Sequence, residues 1–216
     1  MNDWIAADWS VPGHVVAGTT LRTADATKLP LPGEPCWLDQ VHGSNVVTAE
    51  KFDAPPKADG SVNGQPGQIC VVRSADCLPV LLCSADGRAF GAAHAGWRGL
   101  AAGVIENTVA TLGVEPANLL AWLGPAISQP SFEVGGEVRE AFLAHDANAG
   151  NCFVANDRGR WQADLYGLAR QRLAAAGVTK VSGGEFCTFL DKDRFYSYRR
   201  NPQCGRLVSF IGLVTP

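Results

Sequence analysis

Two apolar runs of strand length, residues 78–83 and 89–93, are bracketed by a cysteine directly before the first and a histidine directly after the second. Paired as a hairpin, the runs bring Cys77 and His94 to the same end of one sheet. The histidine opens His94-Ala95-Gly96-Trp97-Arg98-Gly99, a glycine-rich turn leading into an amphipathic helix, and Ala75-Asp76-Cys77-Leu78-Pro79 precedes the first strand. A thiolate and an imidazole thus meet beside a turn whose backbone amides and Arg98 are suited to holding an anion. That combination predicts an active site.

The 216 residues, 46% of them hydrophobic, suffice for a substantial core, and no compositional break divides them, so residues 1–216 read as one domain. A net charge of −3 and a pI near 5.8 give no electrostatic footprint for nucleic acid. No stretch approaches a membrane span, and Met1-Asn2-Asp3-Trp4-Ile5 does not read as a signal peptide. Seven cysteines, an odd number without a CxxC pair, predict reduced thiols in a cytoplasm. Cys70 and Cys83 fall inside apolar strands as small hydrophobes, whereas Cys77 sits at an element boundary where it can face a cleft.

The first third, punctuated by Pro30-Leu31-Pro32-Gly33, reads as short strands and loops. The stretch Trp37 to His42, the turn Gly43-Ser44-Asn45 and Val46-Val47-Thr48 predict a second hairpin with His42 at its tip, and Ala58-Asp59-Gly60 falls in a loop. A strand begins at Ile69. From Leu100 a helix is predicted, because Ala101, Val104, Ile105, Thr108 and Leu112 share one face and Gly113 supplies the stop. A strand over residues 119–123, a helix over 136–145, a helix capped by Asp164 and ending at Gly177, and strands near 178–181, 195–199 and 207–213 complete the chain. Hairpin-like neighbours exclude a purely parallel sheet, so the fold class is α+β, with mixed sheets covered by helices.

Of four histidines, His145 reads as a helix-end charge and His14 as a loop residue, leaving His42 as a third candidate beside Cys77 and His94. If the three converge, two imidazoles and one thiolate suit a metal, Zn²⁺ above all, with a fourth position open. Asp76 reads as an outer partner, an acid/base, or simply a turn former. Arg98, with Gly99 in the same turn, is a candidate anion cradle or a surface cation, and Arg199 and Arg200 could add a second cation. Trp97, Phe132, Tyr196 and Tyr198 are candidate stacking partners for a planar ligand.

The ordered series Gln40-Val41-His42-Gly43, Ala58-Asp59-Gly60, Ala75-Asp76-Cys77-Leu78-Pro79-Val80, Ala93 to Gly99, Gly124-Pro125-Ala126-Ile127 and Phe195 to Arg200 resembles the YfiH family. These proteins were long labelled laccase-domain or polyphenol oxidase proteins and are now associated with purine nucleoside phosphorolysis. The resemblance implies a layered α/β/β sandwich, a zinc site on His42, Cys77 and His94, and phosphorolysis of adenosine, inosine, guanosine and methylthioadenosine, with adenosine deamination. The implied partners are purine nucleosides and inorganic phosphate, and the implied state is a monomer or weak homodimer. Before Pro35 the chain is shorter than the family pattern, and Gln129-Pro130-Ser131-Phe132 stands where cysteine and tyrosine are usual.

Four histidines cannot furnish both a blue-copper centre and an oxygen-reducing copper cluster, so laccase chemistry is disfavoured, although copper could occupy the same three ligands in vitro. The second reading is a metal-free cysteine hydrolase or amidase with Cys77 as nucleophile and His94 as base, matching the kinship of the implied fold with cysteine deamidases and the link of some YfiH relatives to peptidoglycan-precursor editing.

Overall fold

The computed structural model describes residues 3–24, 31 and 33–214. In chain order the strands and helices are β1 (Trp4–Ala6), β2 (Val15–Thr20), β3 (Glu34–Cys36), β4 (Val46–Thr48), β5 (Gly60–Asn63), β6 (Gln68–Ser74), β7 (Leu78–Ser84), β8 (Phe90–Ala95), α1 (Trp97–Ala101), α2 (Val104–Leu112), β9 (Leu119–Leu123), β10 (Glu133–Val134), α3 (Gly136–Leu143), β11 (Phe153–Ala155), β12 (Trp161–Ala163), α4 (Leu165–Ala175), β13 (Lys180–Gly183) and β14 (Leu207–Leu213).

Among the described residues the strands form a six-stranded sheet, β13-β9-β7-β8-β5-β4, a five-stranded sheet, β1-β2-β14-β6-β3, and a small sheet, β10-β12-β11. The six-stranded sheet is the middle layer. One face, through Leu81, Cys83, Phe90, Ala92 and Trp122, packs on Cys70, Val72, Ile211 and Leu213 of the five-stranded sheet. Its other face, through Leu78, Val80, Leu82, Ala93 and Leu123, packs on Leu100, Val104, Ile105, Leu165, Leu168 and Leu173 of the helices. Coverage on both faces explains why β7 is an unbroken apolar run, buried at every residue, rather than an alternating one. The result is the α/β/β sandwich expected, with mixed pairing: β7 is antiparallel to β8 and β9, while β13 runs parallel to β9 and β4 to β5.

The β7–β8 hairpin holds in register, Leu78 opposite Ala95 and Pro79 opposite His94. Residues 119–123 form β9 as read, and Asp164 caps α4 by accepting a hydrogen bond from the Gly167 amide at 2.9 Å. Four expectations need correction. The helix from Leu100 begins earlier and is broken: α1 ends at Ala101, and Gly103, in the left-handed region at φ 93°, resets the axis before α2. Residues 37–48 form no hairpin, because β3 belongs to the five-stranded sheet and β4 to the six-stranded one, so His42 rides on the crossing between them. Ala58-Asp59-Gly60 does not hang in a loop but feeds directly into β5, with Asp59 buried. Residues 195–199 are not a strand, since their polar groups are spent on side-chain contacts. Pro30 and Pro32 lie outside the described residues.

Candidate metal centre and its cavity

The ligand atoms of His42, Cys77 and His94 all lie within 4.8 Å of one another. The two imidazoles meet edge to face, centroids 4.9 Å apart and planes at 75°. Period-2 alternation puts His94 on the face of β8 shared by Phe90 and Ala92, pointing toward the five-stranded sheet. Cys77 ends the short β6–β7 connection. His94 is buried, Cys77 half-buried and His42 exposed, so the group is open on the His42 side. Among the described residues only two non-glycine residues have positive φ, His42 at 60° and Asp76 at 94°, and both border this centre. Backbone strain is thus confined to the site, where the surrounding contacts hold it in place.

The contact that holds it is Asp59. Fully buried, its carboxylate takes His94 Nδ1 at 2.9 Å and accepts the backbone N–H groups of Val41 at 3.2 Å, His42 at 3.0 Å and Gly43 at 2.6 Å. Burial alone would raise its pKa, but the His94 hydrogen bond and the loop amides outweigh that and hold it below the usual carboxylate value. An ionised acceptor facing Nδ1 requires the proton there, which leaves Nε2 to face Cys77. One carboxylate therefore orients one histidine by its ring and the other by its backbone. Asp59 appeared in the sequence only as part of a family signature. The signal that could have exposed it is the β5–β8 register, which pairs Gly60 with Ala93 and so sets Asp59 against His94.

Two glycines are required by closeness. A Cβ on Gly96 would fall 2.8 Å from Cys77 Sγ and 3.4 Å from His42 Cδ2, and one on Gly99 would fall 2.7 Å from the Gly43 carbonyl oxygen. Gly99 is accordingly buried against the His42 loop rather than presented to the cavity.

Burial raises the Cys77 thiol, yet hydrogen bonds and charge from His42 and His94 more than reverse this and bring it down to about 6. Burial likewise disfavours charge on His94, but Asp59 and then Cys77 overcome it and carry the imidazole up to about 9. Cys70 and Cys83, lacking such partners, are pushed up to about 12 by burial. Metal-free protein at neutral pH therefore pairs a thiolate with an imidazolium, and a metal entering there must displace the His94 proton. Affinity should rise about tenfold per pH unit between about pH 6 and 9 and level off above that. Below about 6, thiol protonation steepens the loss. Zinc titrations across this range, with proton release of about one per ion near pH 7.5, check the expectation. A pH-independent affinity would contradict it.

The donor set suits zinc, which takes imidazole nitrogen and thiolate at about 2.0 to 2.3 Å. Ligand atoms in such a tetrahedron lie about 3.5 Å apart, so the group needs only to draw together slightly.

The centre borders a cavity of about 670 Å³, also lined by Asp76, Trp97, Arg98, Ile127, Phe132, Leu165, Tyr198 and Arg199. Arg98 lies over the Trp97 ring at 4.6 Å, and Arg199 over Phe132 at 5.6 Å while donating to the Glu133 carbonyl oxygen. Arg200, read as a second cation for substrate, instead donates to the carbonyls of Thr188, Phe189 and Phe195 and fastens its own loop. Asp76 lines the cavity, but its carboxylate accepts from Thr188 Oγ1 at 2.6 Å, Ser197 Oγ at 3.0 Å and the Arg199 amide at 2.7 Å. Tyr196 is turned to the Arg22 carbonyl, away from the cavity. Arg73 and Arg206, which the sequence reading passed over, line it as well.

A three-ligand group open on one side, set in an α/β/β sandwich among arginines, defines a protein with one candidate metal centre among the described residues. The chain belongs to the family described as multi-copper polyphenol oxidoreductase laccase, whose family model matches residues 13–214. It is 46% identical to a Pseudomonas aeruginosa protein named purine nucleoside phosphorylase, the match covering 99% of each chain. That alignment is 241 positions long against 216 residues here, so this chain is shorter within the matched span. It is 52% identical to purine nucleoside phosphorylase YfiH of Escherichia coli, over 85% of this chain and 76% of that protein. The crystal structure of Neisseria meningitidis protein NMB0706, 38% identical, superposes with a TM-score of 0.94 over 99% of this chain and all of that one. Among the described residues His42, Cys77 and His94 are the only group of three or more metal-ligating side chains, so the family's multi-copper description has no second cluster to refer to here.

Proposed function

We propose that this protein is a zinc-dependent purine nucleoside phosphorylase, acting on adenosine, inosine, guanosine and methylthioadenosine with inorganic phosphate in the cytoplasm. The observation that carries this is the joining, in one cavity, of an open two-imidazole, one-thiolate centre with guanidinium groups that have no carboxylate partner among the described residues, and with aromatic rings. The names of the relatives give the reaction class.

In the reaction a phosphate oxygen attacks C1′ of the ribose, the N-glycosidic bond breaks with its electron pair going to the purine, and the base leaves with the proton that hydrogen phosphate gives up as ribose 1-phosphate forms. Arg98 and Arg199, exposed and without carboxylate partners among the described residues, hold the phosphate by charge-assisted hydrogen bonds. Tyr198, the most exposed ring of the cavity, meets the purine, while Trp97 and Phe132, lying under Arg98 and Arg199, back that wall with Ile127 and Leu165 and exclude water from it. His42, Cys77 and His94 would hold zinc, which when bound supplies Lewis-acid polarisation of a substrate atom. Asp59 keeps His94 in the ligating tautomer. Asp76, its oxygens occupied by Thr188, Ser197 and Arg199, acts as a positioning residue that ties the Arg199 loop to the Cys77 turn. Adenosine deamination is the side activity: water replaces the C6 amino group, ammonia leaves, and phosphate takes no part.

The paired variant Arg98→Gln/Arg199→Gln should raise KM for phosphate at least about tenfold while changing KM for adenosine far less. Equal changes in both constants would remove the phosphate role.

Cys77, His94 and Asp59 also stand in nucleophile, base and orienting positions, which favours a second reading, a metal-free cysteine amidase. Chelation separates the two. A phosphorylase of the kind proposed loses phosphate-dependent turnover on metal removal and regains it with Zn²⁺, whereas a thiol amidase retains activity without metal.

A further inference from the structure

Four arginines line the cavity against two aspartates, Asp39 and Asp76, so cationic groups predominate there. Arg98 and Arg199 belong to the helix-side wall, each lying over a ring of that wall. Arg73 comes from the end of β6 and Arg206 from the residue just before β14, both strands of the five-stranded sheet. Antiparallel pairing sets Val208 opposite Arg73, so Arg206, two residues before Val208, is Arg73's diagonal neighbour across the ladder. Like charges brought near one another repel, and an anion between them relieves this. Neither has a carboxylate partner among the described residues. Arg73 lies over Trp37 at 5.8 Å and gives one nitrogen to the Leu38 carbonyl oxygen; Arg206 lies over Tyr198 at 5.7 Å and gives one nitrogen to the carbonyls of Cys204 and Gly205. Each guanidinium has five N–H donors, so both keep donors for a ligand, and both are exposed at the cavity.

We propose that Arg73 and Arg206 form a second anion subsite, which takes the 5′-phosphate of a purine nucleoside monophosphate whose base occupies the aromatic wall. The inference rests on the nucleoside reading above and extends its ligand class from nucleosides to nucleotides. A phosphoryl group carries about −1.5 to −2 at neutral pH, enough to engage both guanidinium groups at once.

The test is calorimetric titration of the zinc-loaded full chain with adenosine and with adenosine 5′-monophosphate, for the natural protein, Arg73→Gln/Arg206→Gln and Arg98→Gln/Arg199→Gln. The monophosphate should bind about tenfold more tightly than adenosine, and that ratio should collapse toward one in Arg73→Gln/Arg206→Gln. A ratio near one in the natural protein overturns the inference and leaves the nucleoside reading standing. A ratio that survives Arg73→Gln/Arg206→Gln but collapses in Arg98→Gln/Arg199→Gln also overturns it, placing the ester phosphate where inorganic phosphate sits. Binding of neither ligand removes the nucleoside reading and this inference together.

Discussion

Replacing Asp59 with asparagine should cost the centre up to about 100-fold in zinc affinity. The carboxylate accepts four donors, three loop amides and His94 Nδ1. An asparagine side chain has one accepting oxygen and a donating amine, so it cannot satisfy all four. If the amine turns to His94, Nδ1 becomes the acceptor and Nε2 takes the proton, removing the lone pair a metal needs. If it turns to the loop, in the place of Oδ2, the Val41 and Gly43 amides on either side of His42 lose their acceptor, and the turn that holds His42 at φ 60° loosens. Either way one ligand goes. Because Asp59 is wholly buried, stability falls as well, on the order of 3 to 5 kcal/mol for a broken buried charge network. Metal content after dialysis, with a thermal melt of the same sample, checks both. Full zinc occupancy in Asp59→Asn would show that the histidines need no such holder.

The second large effect is expected from a single methyl group. Gly96 sits at φ −61° and ψ 159°, a conformation any residue adopts, so Gly96→Ala carries no backbone penalty. Its Cβ would nevertheless lie 2.8 Å from Cys77 Sγ, and a cysteine sulfur has no slack to retreat without leaving its ligating position. A misplacement of about 1 Å at a reacting group costs on the order of 100-fold, and productive sites hold their groups within about 0.5 Å. Gly96→Ala should therefore fold with little change in Tm, bind zinc about 10- to 100-fold more weakly and lose turnover in proportion. Normal zinc affinity and turnover in the variant would mean that Cys77 is not a ligand.

How far the sequence carried depended on whether a property was local. Residues 78–83, 119–123 and 207–213 announced themselves as strands because their apolar content is continuous, and Asp164 announced a helix start by its own capping chemistry. Cys77 and His94 were paired from the hairpin alone, since register in a tight antiparallel pair follows from chain order. His42 could be nominated but not joined to them, because its crossing between two sheets is a tertiary fact that no periodicity reports. Asp59 was out of reach for the same reason. Its role depends on β5 lying beside β8, and a short polar segment between prolines and glycines reads as a loop. Residues 195–199 misled in the opposite direction: alternating aromatic and polar residues mimic a strand, but Ser197 and the Arg199 amide are committed to Asp76. Gly99 and Arg200 were assigned to substrate by residue type, and packing gives them other work, Gly99 admitting the Gly43 carbonyl and Arg200 binding three carbonyls of its own loop.

The same distinction bears on chemistry. Composition already argued against a multi-copper enzyme, because too few imidazoles exist, and the geometry adds that His14 approaches Gly87 at another part of the molecule while His145 follows α3. Neither joins the centre. What composition could not indicate is that four arginines gather at one cavity in a chain of net negative charge. That local reversal of sign is the electrostatic feature expected of a site for phosphate-bearing ligands.

The activity proposed for this cavity is phosphate-dependent cleavage of a purine nucleoside that needs the metal centre. The most direct measurement follows adenine, ribose 1-phosphate and inosine separately, from adenosine with and without inorganic phosphate, using protein of measured zinc content alongside Cys77→Ala. Equal amounts of adenine and ribose 1-phosphate, formed only with phosphate by protein carrying one zinc per chain and reduced at least about 10³-fold in Cys77→Ala, is the result predicted. Zinc-loaded protein that forms neither product, or a Cys77→Ala variant that forms both at the natural rate, would contradict it.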